Sequence, residues 1–207
     1  MALSALVGVM IWAASQTPNL VQNPDFERQA AGMPVAWRVF VQPQSGAYAR
    51  IDDAGRESAR AAMLHVTTPY PKDPLNNWSQ SIEVPEGAKH IQARGWIRTE
   101  DAGAAVLLLQ CWQARPSKIL QTVESDPISG TAAWTETSCD MPIPAGTAFI
   151  MVRCVLKGTG SAWFDDITIA SGEPEKKTTA PPPDTKTSDK PEGEKPPLWE
   201  GACPRWA

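Results

Sequence analysis

Histidine is nearly absent: only His65 and His90 occur in 207 residues. That leaves little for acid–base catalysis or for imidazole-based metal binding. There is no G-x-S-x-G elbow, H-E-x-x-H pair, phosphate-cradling P-loop or dinucleotide fingerprint. The spacing also lacks C-x-x-C, which weakens a zinc site. Two acid pairs exist, Asp52-Asp53 and Asp165-Asp166. Neighbours on a strand point to opposite faces, so neither pair can flank one glycosidic bond. A net charge of −4 excludes the basic footprint of a nucleic-acid binder. No stretch shows a useful helical period.

Long apolar runs are missing too. The longest, Ala2 to Ala14, has 13 residues where a membrane-spanning helix needs about 20. It suits the apolar core of a secretory signal, residues 1–16, with Ala13 and Ser15 placed for cleavage before Gln16. No Lys or Arg precedes the run, so its positive charge would come from the N-terminal amine or from upstream. The expected location is secreted, periplasmic or at the cell envelope. In such an oxidising compartment the four cysteines, Cys111, Cys139, Cys154 and Cys203, could form one or two disulfides. They could equally be buried small apolar residues, since three lie in strand-like runs.

What is present is short strand-like runs punctuated by turns. Val35–Val41, Ala47–Ile51, Ala61–Val66, Trp78–Val84, Ile91–Thr99, Ala104–Gln113, Trp134–Ile143, Ala148–Leu156 and Ala162–Ile169 all read as strands. Lys157-Gly158-Thr159-Gly160 reads as a tight hairpin turn. The fold class expected over residues 17–170 is all-β, a two-sheet antiparallel β-sandwich. Period-two alternation gives core faces of Ile150/Val152/Cys154/Leu156, Ala105/Leu107/Leu109/Cys111 and Ile91/Ala93/Gly95/Ile97. The same parity puts Asp165 inward with Trp163, Ile167 and Ile169. Residues 171–207 change character. Their Pro-, Lys- and Glu-rich stretch has no large apolar residue and reads as a disordered spacer, followed by a short Trp/Cys tail.

Several motifs then occur in order. Asn19-Leu20-Val21-Gln22-Asn23-Pro24-Asp25-Phe26-Glu27 opens the series, followed by Gly32 to Trp37 (GMPVAW). Trp78-x-Gln80 with Val84-Pro85-x-Gly87 comes next, then Gly95 to Thr99 (GWIRT), and Trp163 to Ile167 (WFDDI) closes it. This series, covering about Asn19 to Ala170, resembles carbohydrate-binding modules of the CenC type, in the galactose-binding-like jelly-roll superfamily. The resemblance implies a jelly roll, no catalysis and a polysaccharide or other glycan as partner. It also implies a structural calcium ion at Glu27 and the Asp165-Asp166 pair. Calcium is held by several oxygen ligands, and a buried carboxylate beside a second one favours a cation.

The non-core parity carries Trp96, Arg98, Gln110, Trp112 and Arg153. If their strands share a sheet, these five form one glycan-binding patch, rimmed by Trp78 and Tyr70. Sugars offer apolar faces for rings and hydroxyls for placed polar groups. Core packing is the plainer role for any one Trp, and Trp37, Trp134 and Trp163 read as core or corner residues. Arg98 and Arg153 could simply pair with Glu100 and Glu136. The alternative function is a cell-envelope structural or protein-interaction module of the same fold. It would bind no sugar and would meet an envelope partner through its tail.

Overall fold

The computed structural model describes residues 18–69 and 75–172. The signal-like segment, Tyr70, Cys203 and the tail beyond Gly172 lie outside the described residues. The strands are β1 (Gln29–Ala30), β2 (Met33–Pro34), β3 (Arg38–Phe40), β4 (Tyr48–Asp52), β5 (Ala61–Val66) and β6 (Asn77–Glu83). They continue with β7 (His90–Gln113), β8 (Lys118–Glu124), β9 (Ile128–Pro142), β10 (Phe149–Lys157) and β11 (Gly160–Ser171). The hairpin β1–β2 turns through Ala31 and Gly32, both at positive φ. All other pairings are also antiparallel.

The 24-residue β7 organises the molecule. Its first part pairs with β11 on one side and β9 on the other. Its last part pairs with β10 and β8. Were β7 straight, residues 95 and 107 would stand about 40 Å apart at the usual strand rise. Instead a Cβ placed on Gly95 would lie 3.2 Å from the Leu107 side chain. The strand therefore folds over at Asp101–Gly103, and its halves face each other. Two layers result: β4-β5-β11 with the first half of β7 and β9, and β3-β6-β10 with the second half of β7 and β8. Strands that switch sheets at a bend are a known way to make a sandwich corner.

Glycine permits this corner. Asp101 has φ 48°, and the 157–160 turn packs directly on it. A Cβ at Gly103 would meet the Lys157 carbonyl oxygen at 2.6 Å, and one at Gly160 (φ +100°) the Asp101 carbonyl oxygen at 2.3 Å. The 157–160 turn is thus not the hairpin turn that the sequence suggests. It joins β10 and β11, which pair with different halves of β7 and belong to different layers.

Between the layers lies one core, including Phe26, Trp37, Leu64, Trp78, Ile97, Leu107, Ile150, Phe164 and Ile167. The alternation assigned to Ile91–Ile97, Ala105–Cys111 and Ile150–Leu156 is the one observed. On β11 it fails midway. The register slips between Asp165 and Thr168, with Asp166 at φ 51°. This bulge resets the parity: Ala162 and Phe164 point inward before it, Ile167 and Ile169 after it. Trp163 therefore belongs to the outer face, packed with Ala61, Met63 and Trp134. The strand β8, where the sequence reading places none, is an edge strand with no fully buried residue; Leu120 and Val123 pack on the core only partly buried.

Cys111, Cys139 and Cys154 are free and buried. Burial pushes the Cys139 thiol up to about 12 and also raises those of Cys111 and Cys154. They act as small apolar residues rather than as nucleophiles. In Asn77-Trp78-Ser79, a glycosylation sequon, Asn77 is buried and its amide donates to the Leu75 carbonyl oxygen at 2.6 Å.

Candidate functional site

The corner in β7 decides how the anticipated patch is distributed. Trp96 and Arg98 lie on its first half, and Gln110 and Trp112 on its second. Arg153 pairs opposite Leu108 on β10. All five point away from the core, but toward opposite sides of the sandwich. Trp78 is 1% exposed in the core, and its indole N–H donates to the Met63 carbonyl oxygen at 3.1 Å. It offers nothing to a surface ligand.

The outer face of the first layer is occupied by its own residues. The Arg98 guanidinium stacks 4.1 Å over the Trp163 ring and 5.6 Å from that of Trp134, rather than pairing with Glu100 or Glu136. Arg56 lies 4.1 Å over the Trp96 ring and donates from Nε to Asp166 Oδ2 at 2.9 Å. Trp163 Nε1 donates to Asp52 Oδ2 at 2.9 Å, a bond that holds the Asp52 carboxyl below its ordinary range. Each partly desolvated cation–π contact adds up to about 2 kcal/mol to packing. Here the Trp and Arg residues stabilise one another.

The second layer's outer face is different. Phe149 sits opposite Trp112, and Met151 opposite Gln110. The Trp112 and Phe149 rings are parallel within 6°, with centroids 6.0 Å apart. They form a half-buried aromatic ridge. Beside it Gln110 Nε2 makes a long bond to Thr122 Oγ1 at 3.4 Å. Gln110 Oε1 and Trp112 Nε1 have no protein partner among the described residues. Both atoms are buried, as is the equally unpartnered Arg98 Nε of the first layer, so they do not by themselves distinguish this face. Across β6, Ser79 and Ser81 point to the same side as Arg38, Met151 and Arg153. Sequence reasoning missed Phe149, Met151, Arg38 and the two serines. Their only signal was period-two parity with Gln110 and Trp112, which needs the strand order to be read.

A third locus ties the chain's opening to its closing strand. Asn19 Nδ2 donates to the Ile167 carbonyl oxygen, and its Oδ1 accepts from Ile169 N–H. Asn23 bridges to Arg28 and Val35. The opening motif is therefore structural stapling. Glu27 Oε1 accepts from Arg60 N–H at 2.7 Å. Asp165, 0% exposed, accepts from Arg56 N–H, Ser58 Oγ and Asp166 N–H at 2.8, 3.0 and 2.8 Å. Desolvation still raises its pKa above the ordinary 3.8. Asp166 turns to Arg56 instead. Among the described residues no three metal-binding side chains converge. The donor chemistry nonetheless suits a hard cation. Both carboxylates, the Ser58 hydroxyl and the Arg60 carbonyl are oxygen donors linked through the 55–60 loop.

No protein-family model matches the chain, and no curated protein matches it in sequence. Solved structures do match it in fold. The CBM22-1 xylan-binding domain of Paenibacillus barcinonensis Xyn10C superposes with a TM-score of 0.53 at 12% identity, over 77% of this chain and 97% of that domain. TmCBM61, solved with beta-1,4-galactotriose, gives 0.52 at 18% identity, over 75% and 100%. The enzymatically active domain of bacteriophage CBA120 tailspike protein 4 gives 0.54 at 10% identity. That match covers 74% of this chain and 21% of the tailspike chain. The shared property is the β-sandwich fold, which carbohydrate-binding modules also have. No helix among the described residues is long and apolar enough to cross a membrane.

Proposed function

We propose that this chain is a non-catalytic glycan-binding module of an exported protein, and that its contact surface is the second layer's outer face. The observation that carries this is the half-buried Trp112–Phe149 ridge on that face, its rings parallel and 6.0 Å apart. Rings accept the apolar face of a sugar, and placed polar groups accept or donate to its hydroxyls. Arg153 stands at the other end of the same strand face, two positions beyond Met151. Trp96 and Arg98 lie outside this surface. The fold shared with TmCBM61 and the CBM22-1 domain supports the same reading.

Tryptophan fluorescence titrated with soluble polysaccharides tests it. A saturable shift with one glycan class, lost in Trp112→Ala, supports the proposal. Flat titrations from a folded chain overturn it and favour an interaction module.

A structural calcium ion held by Glu27 and Asp165 belongs to the same proposal. It would supply positive charge to a buried carboxylate whose nearest guanidinium, Arg56, is committed to Asp166. A melting temperature unmoved by chelator and by added calcium would overturn it.

A further inference from the structure

Twice on the first layer's outer face, an aromatic ring and a carboxylate hold one cation together. Arg56 lies over the Trp96 ring and is bonded to Asp166. Arg50 lies 6.0 Å over the Tyr48 ring, and its Nη2 donates to Asp52 Oδ2 at 3.2 Å. In both places the negative face of the ring and the acid attract the same guanidinium.

The second layer's outer face repeats this combination with no arginine in it. Ile119, Trp112, Phe149 and Glu83 form one row across β8, β7, β10 and β6. The row spans three strand spacings, about 14 Å. Residues directly opposite share a face, with Cα atoms about 5 Å apart. Glu83 therefore stands beside Phe149 on the solvent side, and it is exposed. It makes no ion pair among the described residues. No arginine is stacked on Trp112 or Phe149.

The cations of this layer stand away from Glu83. Arg38 and Arg153 flank Ser79, four residues along β6 and about 13 Å off. Lys157 is bonded to Glu124. Lys118 pairs opposite Gln113 on β8, three strands from Glu83, and Arg115 lies in the turn before it. The charge on the aromatic row is thus negative. A cation bonded to Glu83 can lie over the neighbouring ring, within the about 6 Å over which a ring face attracts it. An anion there would meet repulsion. Among sugar substituents the matching group is an ammonium, with three N–H donors. Ser81, exposed two residues along the same strand face, offers a hydroxyl beside it.

We infer that this face takes a glycan of amino sugars: a sugar ring lies on Trp112 and Phe149, and its protonated amine donates to the Glu83 carboxylate. This rests on the glycan reading of the same face and names its ligand class.

Calorimetry on the full chain tests it with three probes: a glucosamine oligomer, its N-acetylated counterpart and a glucose oligomer of the same linkage. They differ only in the substituent at one ring position. At about pH 5.5 the glucosamine amine carries its proton. The expected result is about five- to tenfold tighter binding of the glucosamine probe than of either neutral one, the scale of an exposed ion pair reinforced by a ring. The gap should narrow at about 1 M salt, where the screening length is about 3 Å. Glu83→Gln should bring the three affinities within about twofold of one another. Trp112→Ala should weaken all three. Equal affinity, or tighter binding of a neutral probe, overturns the inference and leaves the glycan reading standing. A glucosamine preference that survives Glu83→Gln overturns it as well. If a folded chain binds none of the three, the inference falls, and the polysaccharide titrations decide the glycan reading separately.

Discussion

On the first layer's outer face, Arg98, Arg56 and Asp52 are each engaged by a tryptophan: Trp163, Trp96 and Trp163 again. On the second layer's outer face, Trp112 and Phe149 engage each other, and no arginine is stacked on either ring. Both faces carry tryptophan. The difference is the number of partners within reach. The first face has aromatic rings on β7, β9 and β11 and a covering loop that carries Arg56. The second presents its rings on two interior strands, β7 and β10, with Glu83 of β6 opposite Phe149. Aromatic residues paired with arginine on a solvent-side strand face are thus not in themselves a binding site.

The largest expected effect falls on what both faces share. Gly95→Val places atoms where Ile167 Cδ1 would stand 2.5 Å from the new Cβ. Overpacking at that junction should cost more than about 3 kcal/mol, read by urea unfolding, and should abolish both faces together. Trp163→Ala should cost about 3 kcal/mol of stability through lost packing on the first layer. Glycan titrations on the second layer should barely change. Trp112→Ala should do the reverse, with a loss of about 2 kcal/mol in glycan affinity, the scale of an aromatic anchor, and a smaller change in unfolding. If Trp163→Ala removes binding and Trp112→Ala does not, the assignment of the two faces is inverted.

A pH series separates buried Asp165 from half-buried Asp52 by sign. Asp165 has its pKa raised by desolvation, so the folded state takes up a proton before the unfolded one. Without calcium, its contribution should improve as pH falls from neutral through its raised pKa toward 3.8, and Asp165→Asn should remove that trend. Asp52 is lowered, chiefly by the Trp163 hydrogen bond. Its contribution is present above 3.8 and is lost as pH falls through its lowered folded value. Thermal melts of both Asn variants across pH 2–7 (roughly the carboxylate range) check the two slopes. The smallest effect is Arg98→Gln, about 1 kcal/mol of cation–π stacking, with glycan binding unmoved.

Much of this arrangement was legible beforehand. Strand alternation identified the core faces of β7 and β10, because a pleated backbone must put every second residue in the same layer. The solvent-side parity of Trp96, Arg98, Gln110, Trp112 and Arg153 followed from the same rule. Their separation did not, because β7 reads as two strand-like runs with nothing to say that they face each other across a core. Gly103 and Gly160 mark the corner only once Asp101 and Lys157 are seen beside them. Asp165 was placed inward by counting. It is indeed buried, but under the 55–60 loop on the outer side, because a one-residue bulge undid the count.

By itself the sequence determined an all-β chain with period-two strands, an apolar interior and an opening segment rich in asparagine. Those are consequences of local sterics and of burying apolar side chains. Only the tertiary structure decided which outward residues are neighbours. That depends on the fold of one long strand and on the order of the others, contacts made across many residues. So Trp96 meets Arg56, Trp112 meets Phe149, and Arg38 comes to share Ser79 with Arg153.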